Sequence, residues 1–399
     1  MDDFASAAPR PPVAHRIGAR MSTVLLRGAR AVDARTDARD AWILLDGERI
    51  GAVGSGPGAP AADLVVDAGE ATLVPGFIDL HGHGGAHGSF DDGPDEIAAA
   101  LALHRRHGTT RSVLSLVANP LPALERSLAT IRAAMTRDPL ILGAHLEGPF
   151  LSPGNHGAHD PQSLLAPTLE HVAALLASGD GVLRQITVAP ELEGGLDAIR
   201  RIVDGGVVAA VGHTGASYAL TREAFAAGAT VLTHAFNAMP GIHHREPGPV
   251  VAAAEDERIT LELILDGVHV APPVARTLFG AAPGRVALIT DAMAAAGSAD
   301  GAYRLGSLAV SVVDGVARIE GTGTIAGSTL TQDAALRIAI EQVGLGRQEA
   351  VAALTETPAR ALGLDDRLGR LAPGFAADVV AIAPDHSVVQ VWAAGERLV

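Results

Sequence analysis

Two stretches decide the fold: Val207-Val-Ala-Ala-Val-Gly-His-Thr, and Thr230-Val-Leu-Thr-His-Ala-Phe-Asn. Each opens as a short apolar run of strand length and closes on a histidine, His213 in one and His234 in the other. Between them, Ala219–Ala227 carries helical periodicity, so the segment reads strand, helix, strand. A strand that returns through a crossover helix lies parallel to its predecessor. Both histidines therefore fall at the carboxyl edge of one parallel sheet.

Working outward, the same alternation continues. Strand candidates Leu73–Leu80, Ser112–Leu116, Ile141–Leu146 and Gln185–Val188 precede this unit, and Thr260–Leu265 and Val286–Ile289 follow it. Helical patterns lie between most of them, at Asp95–Arg106, Leu124–Arg137, Leu169–Ala177 and Leu196–Val203. A last helix is expected near Leu330–Val343, after a hairpin, Leu308–Ile319, centred on Asp314-Gly315. Eight strands alternating with helices predict an α/β fold, a (β/α)₈ TIM barrel over residues 74–371. The open doubly wound alternative lacks a Gly-x-Gly-x-x-Gly after its first strand. Short β-like pieces at Val24–Leu26, Ala41–Leu45, Arg49–Val53 and Leu64–Asp67 share their texture with Ala377–Val399. They predict a small β-sandwich domain built from both chain ends, residues 22–73 and 372–399. Residues 1–21 are rich in Ala, Pro and Arg, with no apolar h-region. They are expected to form a disordered tail rather than a secretory signal, with Met21 as an alternative start.

Composition narrows the function classes. A net charge of −15 and a pI near 5.5 argue against nucleic-acid binding. No apolar run approaches the ~20 residues that span a bilayer, so a cytoplasmic location is the default expectation. The chain has no Cys, which removes disulfides and thiolate ligands. It also has no Lys, since all 30 Lys+Arg residues are Arg, which removes Schiff-base chemistry and carboxylated lysine. A metal could be held here only by histidine and carboxylate.

Those residue types recur at strand ends. His81 and His83 follow the first strand, Glu147 the third, His213 the fifth, His234 the sixth and Asp291 the eighth. In a parallel barrel the carboxyl ends of all strands meet on one face, so residues two hundred positions apart converge. His-Gly-His places both imidazoles on one side of an extended segment. Alone, the pair is common by chance, and Asp291 alone reads equally as a helix N-cap. Five strand ends together point to a divalent ion, Zn²⁺ first and Fe²⁺ or another as alternatives.

The chain resembles the N-acetylglucosamine-6-phosphate deacetylases of the amidohydrolase superfamily from about Val24 to its end. The matching motifs include Pro75-Gly-Phe-Ile-Asp-Leu-His-Gly-His, His145-Leu-Glu-Gly-Pro-Phe, Gly157-Ala-His-Asp-Pro and Val211-Gly-His-Thr. Thr233-His-Ala-Phe-Asn-Ala-Met-Pro, Arg245-Glu-Pro-Gly, Leu265-Asp-Gly-Val-His-Val and Thr290-Asp-Ala-Met continue the series, and Leu368-Gly-Arg-Leu-Ala-Pro-Gly-Phe closes it. The resemblance implies that Glu147, His213 and His234 hold the principal metal, with His81 and His83 deciding between one and two ions. It implies Asp291 as catalytic base and His159 beside the amide carbonyl. Ala158, Asn237, Ala238, Asp266, Ile325, Ala326 and Gly327 would line the sugar site. Arg245 and His269 would grip the 6-phosphate from the neighbouring subunit of a homodimer. The implied reaction releases glucosamine 6-phosphate and acetate. N-acetylgalactosamine 6-phosphate is the alternative substrate, and a non-catalytic scaffold the alternative class. His87, His104, His107, His145, His156, His171, His243 and His244 are expected to carry no chemistry.

Overall fold

The computed structural model describes residues 23–399, so the expected tail lies outside the described residues. Eight parallel strands form one sheet whose neighbours follow chain order. They are Phe77–Gly82, Thr109–Leu116, Ile141–Glu147, Leu183–Val188, Val208–Val211, Val231–Leu232, Thr260–Ile264 and Val286–Ile289. Most of their positions are buried. This is the mark of strands covered on one side by helices and on the other by the barrel's own filling. Those helices include Pro94–Arg106, Leu121–Met135, Leu169–Ser178, Gly195–Asp204 and Tyr218–Ala226. Two begin on side-chain caps: Thr168 Oγ1 accepts from the His171 amide at 3.2 Å, and Ser217 Oγ from the Leu220 amide at 3.3 Å.

The first and eighth strands close the barrel without a regular ladder. Thr290 Oγ1 donates to Asp79 Oδ2 at 2.6 Å and the Thr290 amide to Asp79 Oδ1 at 3.2 Å. The Asp291 amide donates to His81 O at 2.8 Å, and the His83 amide to Ala292 O at 2.7 Å. This seam fixes three of the six strand-end residues against one another.

A second eight-stranded sheet joins both chain ends. Its longest strands, Thr23–Val32 and Asp37–Asp46, pair antiparallel, and the first also pairs with Leu64–Asp67 and Thr72–Pro75. Thr72–Pro75 in turn pairs with Val379–Ile382 from the far end of the chain. The stretch Leu73–Leu80, expected as one strand, is therefore two. Thr72–Pro75 belongs to the small sheet and Phe77–Gly82 to the barrel. Gly76 lies between them, packed so closely that a Cβ there would lie 2.2 Å from Thr110 Oγ1. The two units are also bolted by Arg111, whose guanidinium holds both oxygens of Asp378 at 2.7 and 3.0 Å.

The expected hairpin is present as Leu308–Val313 and Val316–Ile319, turning through Asp314 and Gly315, both at positive φ. A further strand, Gly301–Leu305, adds to its edge. The resulting three-stranded sheet stands over the carboxyl mouth of the barrel. Among the described residues no helix is long and apolar enough to cross a membrane.

Candidate active site and metal centre

All six strand-end residues converge, and all are buried. Their ligand atoms form two groups, each within 4.8 Å: His81, His83, Glu147 and Asp291 in one, and Glu147, His213 and His234 in the other. Glu147 is the hinge between them. Its Oε1 lies 3.0 Å from His213 Nε2, 2.9 Å from His234 Nε2 and 3.3 Å from His81 Nε2. Its Oε2 lies 3.0 Å from His83 Nε2 and 3.2 Å from His159 Nε2. His213, His234 and Asp291 all sit at positive φ, an uncommon backbone state for non-glycine residues that turns these side chains inward as the strands end. No helix begins at Asp291, so the N-cap reading of that residue falls away.

Hydrogen bonding on the far side of each ring settles what the near side presents. His213 Nδ1 donates to Asn155 O at 2.9 Å, so in the neutral ring Nε2 is a bare lone pair. His81 Nδ1 donates to Glu262 Oε2 at 3.1 Å, with the same consequence. Yet His213 Nε2 is 2.9 Å from His234 Nε2, and His81 Nε2 is 3.2 Å from His83 Nε2. Lone pairs and carboxylate oxygens crowded this closely repel unless a proton or cation lies among them. The titration pattern carries the same message. Burial opposes charge on His81 and His83, but Glu147 and Asp291 outweigh it, raising His81 well above the imidazole range and His83 to about 9. Burial also opposes ionisation of Glu147, yet His81, His159 and His213 hold its carboxyl well below the usual range. For His213 burial prevails and pushes the ring down to about 4. The residues fit a divalent cation, with imidazole and carboxylate as its donor set.

His159 is oriented differently. The Ala118 amide donates to its Nδ1 at 3.1 Å, so Nε2 carries the proton and points into the site as a donor. Asp291 is held ionised. Burial works against its charge, but a hydrogen bond from His83 and the field of His81 keep it below the ordinary carboxylate range.

A cavity of about 350 Å³ opens from this cluster. Ala158, His159, Asn237, Ala238, Ile325 and Gly327 line it, together with His269. Ala326 does not; it is buried among Val117, Met293 and Ala295. Asp266 stands behind His269, accepting from its Nδ1 at 2.7 Å. Burial opposes the charge on both partners, yet the pairing lowers Asp266 and raises His269. The expectation that His269 reaches a neighbouring subunit's cavity is corrected here. The turn after strand Thr260–Ile264 places it on the rim of its own barrel. Arg245 lies apart, exposed on a loop and outside this lining.

Sequence reasoning missed two residues within the barrel. Glu262 is fully buried, with Oε2 on His81 and Oε1 accepting from Gln185 Nε2 at 2.9 Å. A lone glutamate inside the apolar strand Thr260–Ile264 was the available signal. His145, expected to carry no chemistry, is likewise interior. Its Nε2 and Thr187 Oγ1 are 2.8 Å apart, and its ring packs edge-on to His81.

The amidohydrolase family pattern matches residues 72–398. The chain belongs to the amidohydrolase family. It is 41% identical to N-acetylgalactosamine-6-phosphate deacetylase of Escherichia coli O157:H7, covering 81% of this chain and 87% of that one. It is 34% identical to N-acetylglucosamine-6-phosphate deacetylase of Vibrio furnissii, covering 94% of each. Among solved structures it is similar to a variant of N-acetyl-D-glucosamine-6-phosphate deacetylase from Mycobacterium smegmatis in complex with N-acetyl-D-glucosamine-6-phosphate. That likeness has a TM-score of 0.91 at 47% identity and covers 95% of this chain and 100% of the other.

Proposed function

We propose that this amidohydrolase removes the acetyl group of N-acetyl-D-glucosamine 6-phosphate, giving D-glucosamine 6-phosphate and acetate. One observation carries the reading. Glu147, ringed by imidazoles, opens onto a cavity that His269 also lines, with Asp266 holding its Nδ1 from behind, which suits an amide at the cluster and a phosphate oxygen at the His269 ring. The deacetylases to which the chain is similar act on substrates of this shape.

In this reading Glu147, His213 and His234 hold one divalent ion. His81, His83 and Asp291, with Glu147, would hold a second if the subunit takes two ions rather than one. When bound, the cation supplies Lewis acidity toward the acyl carbonyl and the attacking water. Zn²⁺ suits the donors best, with Fe²⁺ next. Asp291, already ionised, accepts the water's proton and returns it to the departing nitrogen, which leaves poorly unless protonated. His159 donates its Nε2–H to the oxyanion as it develops, a contribution of about 3–4 kcal/mol for one well-placed donor. Asn237, Ala238 and the Ile325–Gly327 segment shape the sugar pocket.

A homodimer completes the phosphate grip, with Arg245 reaching its partner's cavity. The exposed position of Arg245 supports this, as does the exposed apolar Ile242 three residues before it, which shares a groove with Val274. Phosphorylated sugars are intracellular intermediates, which supports a cytoplasmic location. A second reading, N-acetylgalactosamine 6-phosphate as substrate, rests on the 41% identical relative.

Turnover of the gluco and galacto 6-phosphates and of unphosphorylated N-acetylglucosamine, after metal stripping and reconstitution, tests the proposal. The gluco 6-phosphate should be preferred, and metal should restore activity. Activity without metal, or equal turnover of the unphosphorylated sugar, would overturn it. Arg245→Ala should raise KM for the phosphorylated substrate about 10–150-fold, the worth of a charge-assisted bond of about 1.5–3 kcal/mol. An unchanged KM removes Arg245 from the grip.

A further inference from the structure

A second cavity lies at the opposite end of the barrel, between the amino-terminal ends of its strands and the small β sheet. It encloses about 460 Å³ and is lined by Arg49, Arg111, Arg184 and Arg367, with Met135 and Leu364 among its apolar walls. This volume is that of a small-ligand site. The separation from Glu147 is large. Ile141, also on the lining, begins the strand that Glu147 ends, about 20 Å away at ~3.3 Å per residue.

Four guanidiniums at one cavity run against the grain of a chain with net charge −15. A structural role accounts for one of them. Arg111 is neutralised by Asp378 and also reaches Pro139 O. The other three are not neutralised. Arg49 spends an N–H on Gly374 O and Arg184 one on Leu142 O, both neutral acceptors. Arg367 makes no side-chain hydrogen bond or ion pair among the described residues. Each guanidinium carries five N–H donors in a fixed fork, so most of the donors here are uncommitted. Glu48 also lines the cavity and offsets one positive charge, but it is not ion-paired to any of the four, which leaves the lining net cationic. The pattern of forked donors around a partly apolar cavity suits a small, multiply charged oxyanion attached to a carbon skeleton.

We propose that this arginine-lined cavity is a second ligand site, for a small metabolite bearing phosphate or carboxylate groups, distinct from the metal-centred cavity. Its occupant bridges the small sheet through Arg49 to the barrel through Arg184. The two units of the fold are therefore tied more firmly when the site is filled.

Equilibrium dialysis of labelled inorganic phosphate against the full-length, metal-loaded protein tests the proposal, with malonate as competitor. An Arg245→Ala/His269→Ala background removes the phosphate grip of the metal-centred cavity. Saturable binding should persist there and should weaken at least tenfold when Arg184→Gln and Arg367→Gln are added. Loss of all saturable binding in the Arg245/His269 background overturns the proposal, as does undiminished binding in the arginine variant. Displacement by malonate extends the ligand class to carboxylates, whereas no displacement confines it to phosphates. Should the Arg184 change impair folding, Arg367→Glu alone serves, since that side chain is exposed and supports no other residue. It too should cost at least tenfold, and unchanged binding refutes the site.

Discussion

Replacing Glu262 separates charge from shape inside the barrel. Its two oxygens accept from His81 Nδ1 and Gln185 Nε2, and all three groups are buried. In Glu262→Gln the amide oxygen still accepts from His81, and the new NH₂ faces Gln185. The Gln185 Oε1 has no hydrogen-bond partner, so a flip of that amide supplies one. Every hydrogen bond survives and only the negative charge behind His81 is lost. Partners of this kind behind a metal-ligating histidine are worth about 10–100-fold in metal affinity, which is about 1.4–2.7 kcal/mol. Glu262→Leu removes both acceptors instead. It strands two buried N–H groups at about 1–3 kcal/mol each, so folding stability should fall by roughly 2–6 kcal/mol. Chelator competition measures the first effect and urea unfolding of the metal-free protein the second. The expected result is weakened metal with near-normal stability for Gln, and a large stability loss for Leu. Unaltered metal affinity in Glu262→Gln would refute the claim that Glu262 tunes His81.

Three further outcomes are expected. Asp291→Asn should lower kcat by about 10²–10⁴ while the Glu147, His213 and His234 group still takes up metal, as turnover and metal analysis will show; near-normal turnover would remove Asp291 as the proton carrier. Burial opposes but Asp266 sustains the charge on His269, whose folded pKa is raised. Its contribution to stability and phosphate affinity is thus complete below the ordinary value near 6.5 and lost as pH rises through the raised one; in Asp266→Asn the rise in KM should move to lower pH, and an unmoved profile would exclude His269 from the grip. Arg111→Ala leaves the nearly buried Asp378 carboxylate without its cation, at side-chain exposures of 12% and 8%, and should cost about 3–5 kcal/mol by urea unfolding; a loss under 1 kcal/mol would mean that the bolt carries little.

The sequence exposed what repeats and what sits at ends. Each barrel strand shows as an apolar run because it is buried on both sides, and each strand-end ligand shows because its type is rare there. The break falls at Pro75-Gly76, a dipeptide that punctuates chains locally, but the apolar residues on both sides of it masked the signal. What the local sequence does not show is the close approach of Thr110, more than thirty positions away, which leaves no room for a side chain at Gly76. Gly301–Leu305 was missed for a similar reason, since it is mostly exposed and becomes a strand only by pairing with the hairpin. Glu262 has no partner within its own strand, so its role emerges only when the first, fourth and seventh strands are brought together. The placement of His269 depends on the angle of one turn, which residue identities do not encode.

The pairing of Thr72–Pro75 with Val379–Ile382 spans about 300 residues of chain. During synthesis at ~5–20 residues per second, the earlier strand waits ~15–60 s for its mate. Throughout that interval Leu73 and Val74 present an open, apolar edge of the kind that recruits other nascent chains. The barrel can assemble in the meantime, but the sheet beneath it stays unsealed until Val379–Ile382 has left the ribosome. Shielding that edge while it waits is therefore a demand on folding that the stability of the finished protein does not reveal.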